Sequence, residues 1–131
     1  MSKAIVYENN REFQKIISDY LKSIGIDCLN PSNNEEASVM FSLEDLSIVV
    51  LGEENIEIIN QISSLPMYRR REILVFLLSK SLSTMDRLSA FVYGVDCIIN
   101  IKDLSNFPSI FKRTYSEYQK IYRVFKELLS K

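Results

Sequence analysis

Two adjacent acids, Glu53 and Glu54, follow an apolar run that ends in a glycine, in the sequence IVVLGEEN from Ile48 to Asn55. An apolar run of this kind is typical of a buried strand in an α/β protein, and ligand sites in such proteins lie beyond the carboxyl ends of the strands. A carboxylate in this loop could accept a phosphoryl group, or could help Glu8, which follows an earlier strand, to hold a cation. The alternative is that both acids serve the first turn of the next helix, where they favour the positive end of its dipole.

Several other kinds of chemistry are excluded by the residue types that the chain lacks. It has no histidine and two cysteines, Cys28 and Cys97, which show no CxxC spacing. The usual zinc sites and all His-dependent catalytic triads are therefore excluded. Both cysteines lie within apolar runs, so we expect buried, reduced thiols. We expect no metal site, no cofactor and no enzymatic activity.

The basic cluster YRRRE, from Tyr68 to Glu72, is a second candidate site. Its arginines could bind a phosphate group or an acidic partner. The alternative, which we favour, is a solvated connector that protects the hydrophobic strand ILVFLL, from Ile73 to Leu78, against association through its edge. No nucleotide-binding glycine pattern follows any strand, and the first loop, ENNRE, lacks the Ser/Thr-rich character of flavin sites.

Composition and charge indicate a soluble globular protein. The 131 residues are enough for one domain with a single core, and 47% are hydrophobic while 25% are charged. Sixteen basic and seventeen acidic side chains give a net charge of −1, so no global field attracts nucleic acid or an anionic membrane. No apolar run approaches the roughly 18 residues of a spanning helix, and the first residues show no signal-peptide pattern. We expect a cytoplasmic protein that binds neither nucleic acid nor membrane.

Apolar runs alternate with amphipathic segments, and this alternation places the candidate residues at strand ends. Helical spacing predicts a helix after each strand, and the fourth helix opens at the capping-box pattern Ser83 to Asp86 and closes at Gly94. The alternation predicts a three-layer, doubly wound (βα)5 fold of the α/β class with a five-stranded parallel sheet, in one domain over residues 1–131. The last helix, from about Pro108 to Ser130, would be about 33 Å long, which exceeds the depth of a small parallel sheet. The predicted strands are Lys3–Tyr7, Ile26–Leu29, Leu46–Leu51, Glu72–Ser79 and Asp96–Ile101.

The order of these elements, the helix lengths and the segment GVDCIINIK, from Gly94 to Lys102, carry a more specific likeness. From Lys3 to about Tyr115 the chain resembles the receiver domain of bacterial two-component response regulators, whose corresponding segment reads Gly-Ala-Asp-Asp-Tyr, two residues, Lys. The resemblance implies a flavodoxin-like strand order, 2-1-3-4-5. It also implies a role in cytoplasmic signalling.

The resemblance implies a phosphorylation pocket at the carboxyl ends of the strands. In that family an acidic pair after the first strand holds a divalent metal, an aspartate ending the third strand accepts the phosphoryl group, a Ser or Thr ends the fourth strand, and a lysine ends the fifth. The metal and the lysine neutralise the phosphoryl oxygens, and the hydroxyl group bonds to the product. In this sequence the five positions fall on Glu8, Asn9, Gly52, Ser79 and Ile101.

Only Ser79 keeps the residue type that this chemistry needs. Gly52 has no side chain, and Lys102 stands one residue late, which turns a strand side chain to the other face. Glu53 is displaced by one residue from the acceptor position, and that shift costs the in-line geometry of phosphoryl transfer. We therefore favour the interpretation in which Glu53 and Glu54 serve the following helix. The family's aromatic switch position falls on Ile98, which has no hydroxyl group.

These departures predict a pseudo-receiver, a receiver-like domain that acts by binding protein instead of accepting a phosphoryl group. The alternative from another functional class is an atypical phosphoacceptor or small-ligand sensor that uses Glu8, Glu53 and Lys102 in an unorthodox pocket.

The last helix carries two neighbouring apolar stripes, one aliphatic and one aromatic, which together are wider than one contact with a sheet requires. In one interpretation, one stripe packs on the sheet and the tyrosines cover its margin. We favour the other, in which the aliphatic stripe packs on the sheet and the aromatic stripe binds a protein partner or a second copy, together with the fifth strand and the helix from Ser83 to Tyr93. Receiver domains commonly use this face, so the resemblance has the same implication. The aliphatic stripe is Ile110, Ile121, Val124 and Leu128, and the predicted interface residues are Tyr93, Ile99, Tyr115, Tyr118, Tyr122 and Phe125.

Overall fold

Five parallel strands form one sheet in the order β2-β1-β3-β4-β5. This computed structural model describes residues 3–42 and 46–129, except for the side chains of Met67, Tyr122, Phe125, Lys126 and Leu129. The observed strand order confirms the predicted fold class and sheet topology. The strands are β1 Lys3–Tyr7, β2 Asp27–Leu29, β3 Leu46–Gly52, β4 Leu74–Ser79 and β5 Cys97–Asn100.

Six α-helices and two 3-10 helices connect and cover these strands in the part of the chain that the structure describes. Because the central strands are apolar on both faces, they must be covered on both sides. Helices α1 and α6 pack on one face, while α2, α3 and α5 contribute buried residues to the other. The α-helices are α1 Arg11–Ser23, α2 Asn34–Met40, α3 Ile59–Ser63, α4 Met67–Arg70, α5 Arg87–Tyr93 and α6 Phe107–Leu129, and the 3-10 helices are Glu53–Ile58 and Ile101–Asn106.

The start of α5 differs from the sequence prediction. Asp86 itself is the N-cap, and its carboxylate accepts a hydrogen bond of 3.0 Å from the Ser89 amide. The residues from Ser83 to Asp86 form a turn before the helix, in which Met85 has φ 63° and its amide donates to the Ile98 carbonyl at 2.7 Å. This tertiary contact with β5 competes with helical hydrogen bonding, so the Ser83 cap is wrong. The predicted stop is confirmed, because Gly94 takes φ 73° at the C-cap.

The basic cluster overlaps a short helix, α4, and its residue Arg70 makes structural contacts. Arg70 donates to the carbonyls of Ile73 and Gly94 at 2.9 and 3.1 Å, and its guanidinium lies 3.5 Å from the Asp96 carboxylate. Asp96 in turn accepts a hydrogen bond of 2.8 Å from the Val75 amide. Arg70 therefore joins the start of β4 to the end of α5 as part of a structural connector. The predicted protection of a strand edge is wrong, because β4 lies between β3 and β5 and has no free edge.

Both cysteines carry free thiols, and Cys97 is buried while Cys28 is half-buried. Burial raises the pKa of each thiol above its ordinary value. Among the described residues, no helix combines the length and apolar character needed to cross a membrane.

Candidate functional site

A cleft of about 260 Å³ lies where β1, β3 and β4 end. The loops after these strands meet here because parallel strands end at the same edge of the sheet. The structure thus brings together Glu8, Asn9, Glu53 and Ser79 as predicted, since Glu53 contacts Ser79 directly. The lining residues are Glu8, Asn9, Asn10, Phe13, Glu53, Glu54, Leu78, Lys80 and Ile101.

Glu8 occupies the space in which a side chain at position 52 would lie. A Cβ atom at position 52 would overlap Oε2 of Glu8 and stand 2.8 Å from its Cδ. Gly52 has φ −74° and ψ 149°, which any residue can adopt. The backbone therefore does not require glycine here. The obstacle to a larger residue is the Glu8 carboxylate.

Local hydrogen bonds hold Glu8 in this position. Asn10 caps α1 by accepting hydrogen bonds from the amides of Glu12 and Phe13 at 3.0 and 3.2 Å. The Asn10 backbone amide donates to Oε1 of Glu8 at 3.1 Å. Burial, followed by the negative charge of Glu54, raises the pKa of the Glu8 carboxyl above its ordinary value.

Glu53 is bound to the end of β4. Its Oε2 accepts a hydrogen bond of 2.9 Å from the Ser79 hydroxyl, and its Oε1 accepts one of 3.0 Å from the Lys80 amide. The Ser79 oxygen also accepts from the amides of Ser81 and Leu82, at 3.2 and 3.0 Å. Both oxygens of Glu53 and the hydroxyl group of Ser79 are thus engaged within the chain.

Glu53 and Glu54 open the 3-10 helix, which agrees with the interpretation that they serve the following helical segment. Neither is its N-cap, and Glu53 bonds across the sheet to β4 instead. Glu53 therefore has both predicted roles in part. It lies in the first turn of the helical segment, and its carboxylate also contacts the end of β4.

Lys80 and Asn55 are site residues that the sequence analysis missed. The Lys80 amine lies 3.8 Å from the Glu54 carboxylate at the mouth of the cleft. The Asn55 side-chain amide donates to the Tyr7 carbonyl at 3.1 Å and to the Asn9 side chain at 3.2 Å. Both residues lie within three positions of the end of a strand, and that position in the sequence could have identified them as site residues.

Lys102 does not contribute to this cleft. It is exposed on the second 3-10 helix and is not among the residues that line the cleft, whereas Ile101 is. Ile98 is fully buried between the layers. Among the described residues, no group of three or more Cys, Asp or Glu side chains is placed to hold a metal ion.

The predicted packing of the aliphatic α6 stripe is correct for Ile110, which packs against the core, but wrong for the other three residues. Ile121, Val124 and Leu128 are 72%, 55% and 66% exposed instead of packing on the sheet. Tyr115 stacks on the buried Phe111 with ring centroids 5.4 Å apart, and the Tyr118 hydroxyl donates to the Arg71 carbonyl. A small rotation of the helix about its axis decides which stripe faces the sheet. Aromatic packing sets that rotation, and the sequence pattern does not specify it.

Other predicted interface residues have mixed outcomes. Ile99 is fully buried in the core and cannot contribute to a surface, while Tyr93 is 43% exposed. The side chains of Tyr122 and Phe125 lie outside the described residues. Helix α5 exposes a larger apolar surface than predicted, formed by Leu88, Phe91 and Val92. A groove of about 360 Å³ runs beside it, between α5 and α6.

Comparisons with known proteins bear on the fold. No protein-family model matches the sequence, and no curated protein matches it. Solved structures of response-regulator receivers do match, including the receiver domain of a Francisella response regulator (TM-score 0.67, 16% identity, covering 92% of this chain and 99% of that one). NtrX from Brucella abortus matches with TM-score 0.73 and 14% identity over 98% of this chain and 29% of the NtrX chain.

A Saccharomyces cerevisiae receiver domain, crystallised with its histidine phosphotransfer signalling protein, matches with TM-score 0.60 and 18% identity over 76% of this chain and 78% of that one. At these identities the likenesses establish the fold. The chain has the fold of response-regulator receiver domains, with a cleft at the position where the sequence analysis placed their phosphorylation pocket.

Proposed function

We propose that this protein is a pseudo-receiver, a signalling or scaffolding module of the receiver type that acts through protein binding and not through phosphoryl transfer. The proposal includes family membership, a cytoplasmic role and the absence of enzymatic activity. Its main support is Gly52, which gives the acceptor position no side chain, while the Glu8 carboxylate fills the space where one would lie.

The cations of the cleft also argue against phosphoryl transfer. Lys80 lines the cleft and lies 3.8 Å from the Glu54 carboxylate, which already neutralises part of its charge. Phosphoryl transfer depends on cations that neutralise the oxygens of the transferred group. The lysine that the alternative function needs, Lys102, does not line the cleft. This arrangement favours the pseudo-receiver over an atypical phosphoacceptor.

The face formed by α5, β5 and α6 is the candidate surface for a protein partner. Phe91 is 84% exposed and lines the groove between α5 and α6, next to the buried residues Ala90 and Val95. Large exposed apolar side chains beside a groove are typical of protein interaction sites. The yeast receiver domain found in complex with a phosphotransfer protein gives an example of protein binding by this fold.

Intact mass spectrometry after incubation with acetyl phosphate and Mg²⁺ tests the loss of phosphoryl transfer. We expect no gain of a phosphoryl group in the wild-type protein, because Gly52 offers no acceptor, and none in Gly52→Asp, because the metal-binding pair is reduced to Glu8 and Asn9 and Lys102 lies outside the cleft. Glu53→Gln is the matched variant. A phosphoryl gain in the wild type that Glu53→Gln abolishes would contradict the proposal and support the atypical phosphoacceptor.

A further inference from the structure

Two hydrogen-bond donors at the end of β4 hold the Glu53 carboxylate. The Ser79 hydroxyl donates to its Oε2 at 2.9 Å, and the Lys80 backbone amide donates to its Oε1 at 3.0 Å. Ser79 is fully buried, whereas Glu53 is half-buried and lines the cleft. Donors to both oxygens of one carboxylate are the arrangement in which proteins bind oxyanions.

The Ser79 hydroxyl passes this contact on to the loop that follows β4. Because its proton is directed at Glu53, its oxygen can accept hydrogen bonds from other groups. It accepts from the backbone amides of Ser81 and Leu82 at 3.2 and 3.0 Å. The Glu53 carboxylate thus orients the hydroxyl group, and the hydroxyl group fixes the turn that leaves β4.

Further hydrogen bonds join this loop to β5. The Leu82 carbonyl accepts from the side-chain amide of Asn100 at 2.9 Å, and the Thr84 hydroxyl accepts from the Asn100 backbone amide at 2.9 Å. Asp86, two residues after Thr84, is the N-cap of α5. A continuous set of hydrogen bonds therefore runs from the cleft to the residues just before α5, the helix that carries exposed apolar side chains of the candidate partner surface.

We propose that Glu53 is the internal ligand of an oxyanion site, formed by the Ser79 hydroxyl and the Lys80 amide, and that it holds the loop from Ser79 to Thr84 in one conformation. The inference deepens the proposed function and rests on it in one respect. A fixed internal anion explains how the domain keeps its partner surface in one state without receiving a phosphoryl group.

The tether gives Glu53 an advantage over free anions. Glu53 follows β3 directly, so its carboxylate is always close to the two donors. Its effective concentration there is on the order of millimolar or higher. A free carboxylate that makes the same two hydrogen bonds must also lose its translational freedom. We therefore expect this site to take an external carboxylate only after the side chain of Glu53 has been removed.

Chemical rescue of Glu53→Ala by sodium acetate tests this assignment. The truncation leaves the two donors facing the cleft, and acetate supplies the missing carboxylate. We expect the ¹H–¹⁵N signals of Lys80, Ser81, Leu82 and Thr84 to shift in the variant and to return toward their wild-type positions as acetate is added. The dissociation constant should be on the order of 10–100 mM, because only two hydrogen bonds hold the free anion.

Neutral and ionic controls separate anion binding from a general effect of the solute. Acetamide has the shape of acetate without its charge, and it should leave the shifted signals where they are. Sodium chloride at the same ionic strength should do the same. Glu57→Ala is the matched control variant, since Glu57 is exposed on the same 3-10 helix. Its loop signals should match those of the wild type, and neither protein should respond to acetate.

Amide hydrogen exchange in the wild type gives a second test, which decides the matter if Glu53→Ala does not fold. We expect the Lys80 amide to exchange at least about tenfold more slowly than the same sequence in an unstructured peptide, because Glu53 accepts its hydrogen bond. In folded Glu53→Ala this protection should be lost, and acetate should restore it.

Three results would overturn the proposal. They are an unprotected Lys80 amide in the wild type, loop signals that keep their wild-type positions in Glu53→Ala, and shifted signals that acetate fails to restore or that acetamide restores equally well. The acetyl phosphate experiment instead detects a covalent adduct on the wild-type protein. Failure of the internal ligand and failure of the proposed function are therefore distinguishable.

Discussion

At the scale of single residues, the loss of the acceptor side chain is coupled to the position of Glu8. Gly52 leaves a space beside β1, and the Glu8 carboxylate fills it while accepting a hydrogen bond from the Asn10 amide. Filling the space partly buries a charge, which raises the pKa of Glu8. The carboxylate therefore costs stability when it is ionised.

Glu8→Gln should make the protein more stable at neutral pH. Because the pKa of Glu8 is higher in the folded than in the unfolded protein, its contribution to stability is fully present below the unfolded pKa and is lost as pH rises through the folded pKa. Glutamine avoids that loss and can still accept from the Asn10 amide. We expect the melting temperature at pH 7 to rise by about 1–3 °C, a small amount because part of the carboxylate remains in water.

The melting temperatures of the wild type and Glu8→Gln at lower pH test whether the buried charge causes the difference. The difference between the two proteins should disappear below about pH 4, where Glu8 is neutral in both states. Glu57→Gln, at an exposed position of the same 3-10 helix as Glu53, should leave the melting temperature unchanged. A stabilisation by Glu8→Gln that persists at low pH would point to a cause other than the buried charge.

A double-mutant cycle between Gly52 and Glu8 tests the shared space. In the Glu8→Ala background, Gly52→Ala should raise the free energy of unfolding by about 0.4–1 kcal/mol, since the backbone angles suit alanine and the unfolded chain loses entropy. In the wild type the new methyl group displaces the carboxylate from the Asn10 amide, which costs about 1 kcal/mol and removes that gain. Urea denaturation measures both values. Equal effects in the two backgrounds would mean that Glu8 does not occupy the space in solution.

The sequence identified several residues at this edge of the sheet but not their contacts. Glu8, Asn9, Gly52, Glu53 and Ser79 were predicted because they stand at strand ends. The Glu8 side chain is placed by the Asn10 backbone amide and by the empty space at position 52, and neither is a property of Glu8 itself. Contacts of this kind require the three-dimensional arrangement of several loops.

At the scale of elements, strands were predicted better than helix boundaries. Predicted and observed limits of β1 are identical, and those of β3 differ by one residue. Strands β3 and β4 are almost entirely apolar runs of strand length, which is typical of strands covered on both faces. Helix α5 begins four residues later than predicted because the Met85 amide is bonded to β5, and a tertiary contact of this kind leaves no local sequence signal.

Substitution of the two alternative caps of α5 discriminates between the predicted and observed starts. Asp86→Ala should lower the melting temperature by about 2–4 °C, whereas Ser83→Ala should have no effect. Hydrogen bonds from Ser89 lower the pKa of Asp86 below its ordinary value of 3.8. The cap is therefore fully effective above that value and weakens as pH falls through the lowered pKa. A larger fall in melting temperature for Ser83→Ala than for Asp86→Ala would mean that α5 begins at Ser83, as the sequence predicted.

At the scale of the whole molecule, Arg70 connects elements that are distant in sequence. Its guanidinium contacts Asp96, and its side-chain exposure is 23% against 35% for Asp96. Burial raises the pKa of Asp96 in spite of this cation, so the carboxylate depends on Arg70 for compensation. Loss of Arg70 would leave the carboxylate partly buried without its ion pair.

Arg70→Ala should lower the free energy of unfolding by about 2 kcal/mol, less than for a fully buried pair because Asp96 keeps contact with water. Asp96→Asn should recover part of this loss in the Arg70→Ala background, since asparagine carries no charge and can still accept from the Val75 amide. Arg113→Ala, which breaks an exposed pair with Glu117, is the control and should cost less than about 0.5 kcal/mol. Equal losses for Arg70→Ala and Arg113→Ala would show that the Arg70 contacts add no stability.

The central claim is that the cleft does not bind a phosphoryl group, and beryllofluoride, a phosphoryl mimic, tests it most directly. The ¹H–¹⁵N spectrum of the labelled protein is recorded with Mg²⁺ and then with Mg²⁺ and beryllofluoride. The account predicts that the amide signals of Asn9, Gly52, Ser79 and Lys80 keep their positions, because Glu8 fills the acceptor's space and Glu53 is bound to β4. Saturable shifts of these four signals, absent in Glu53→Gln, would contradict it.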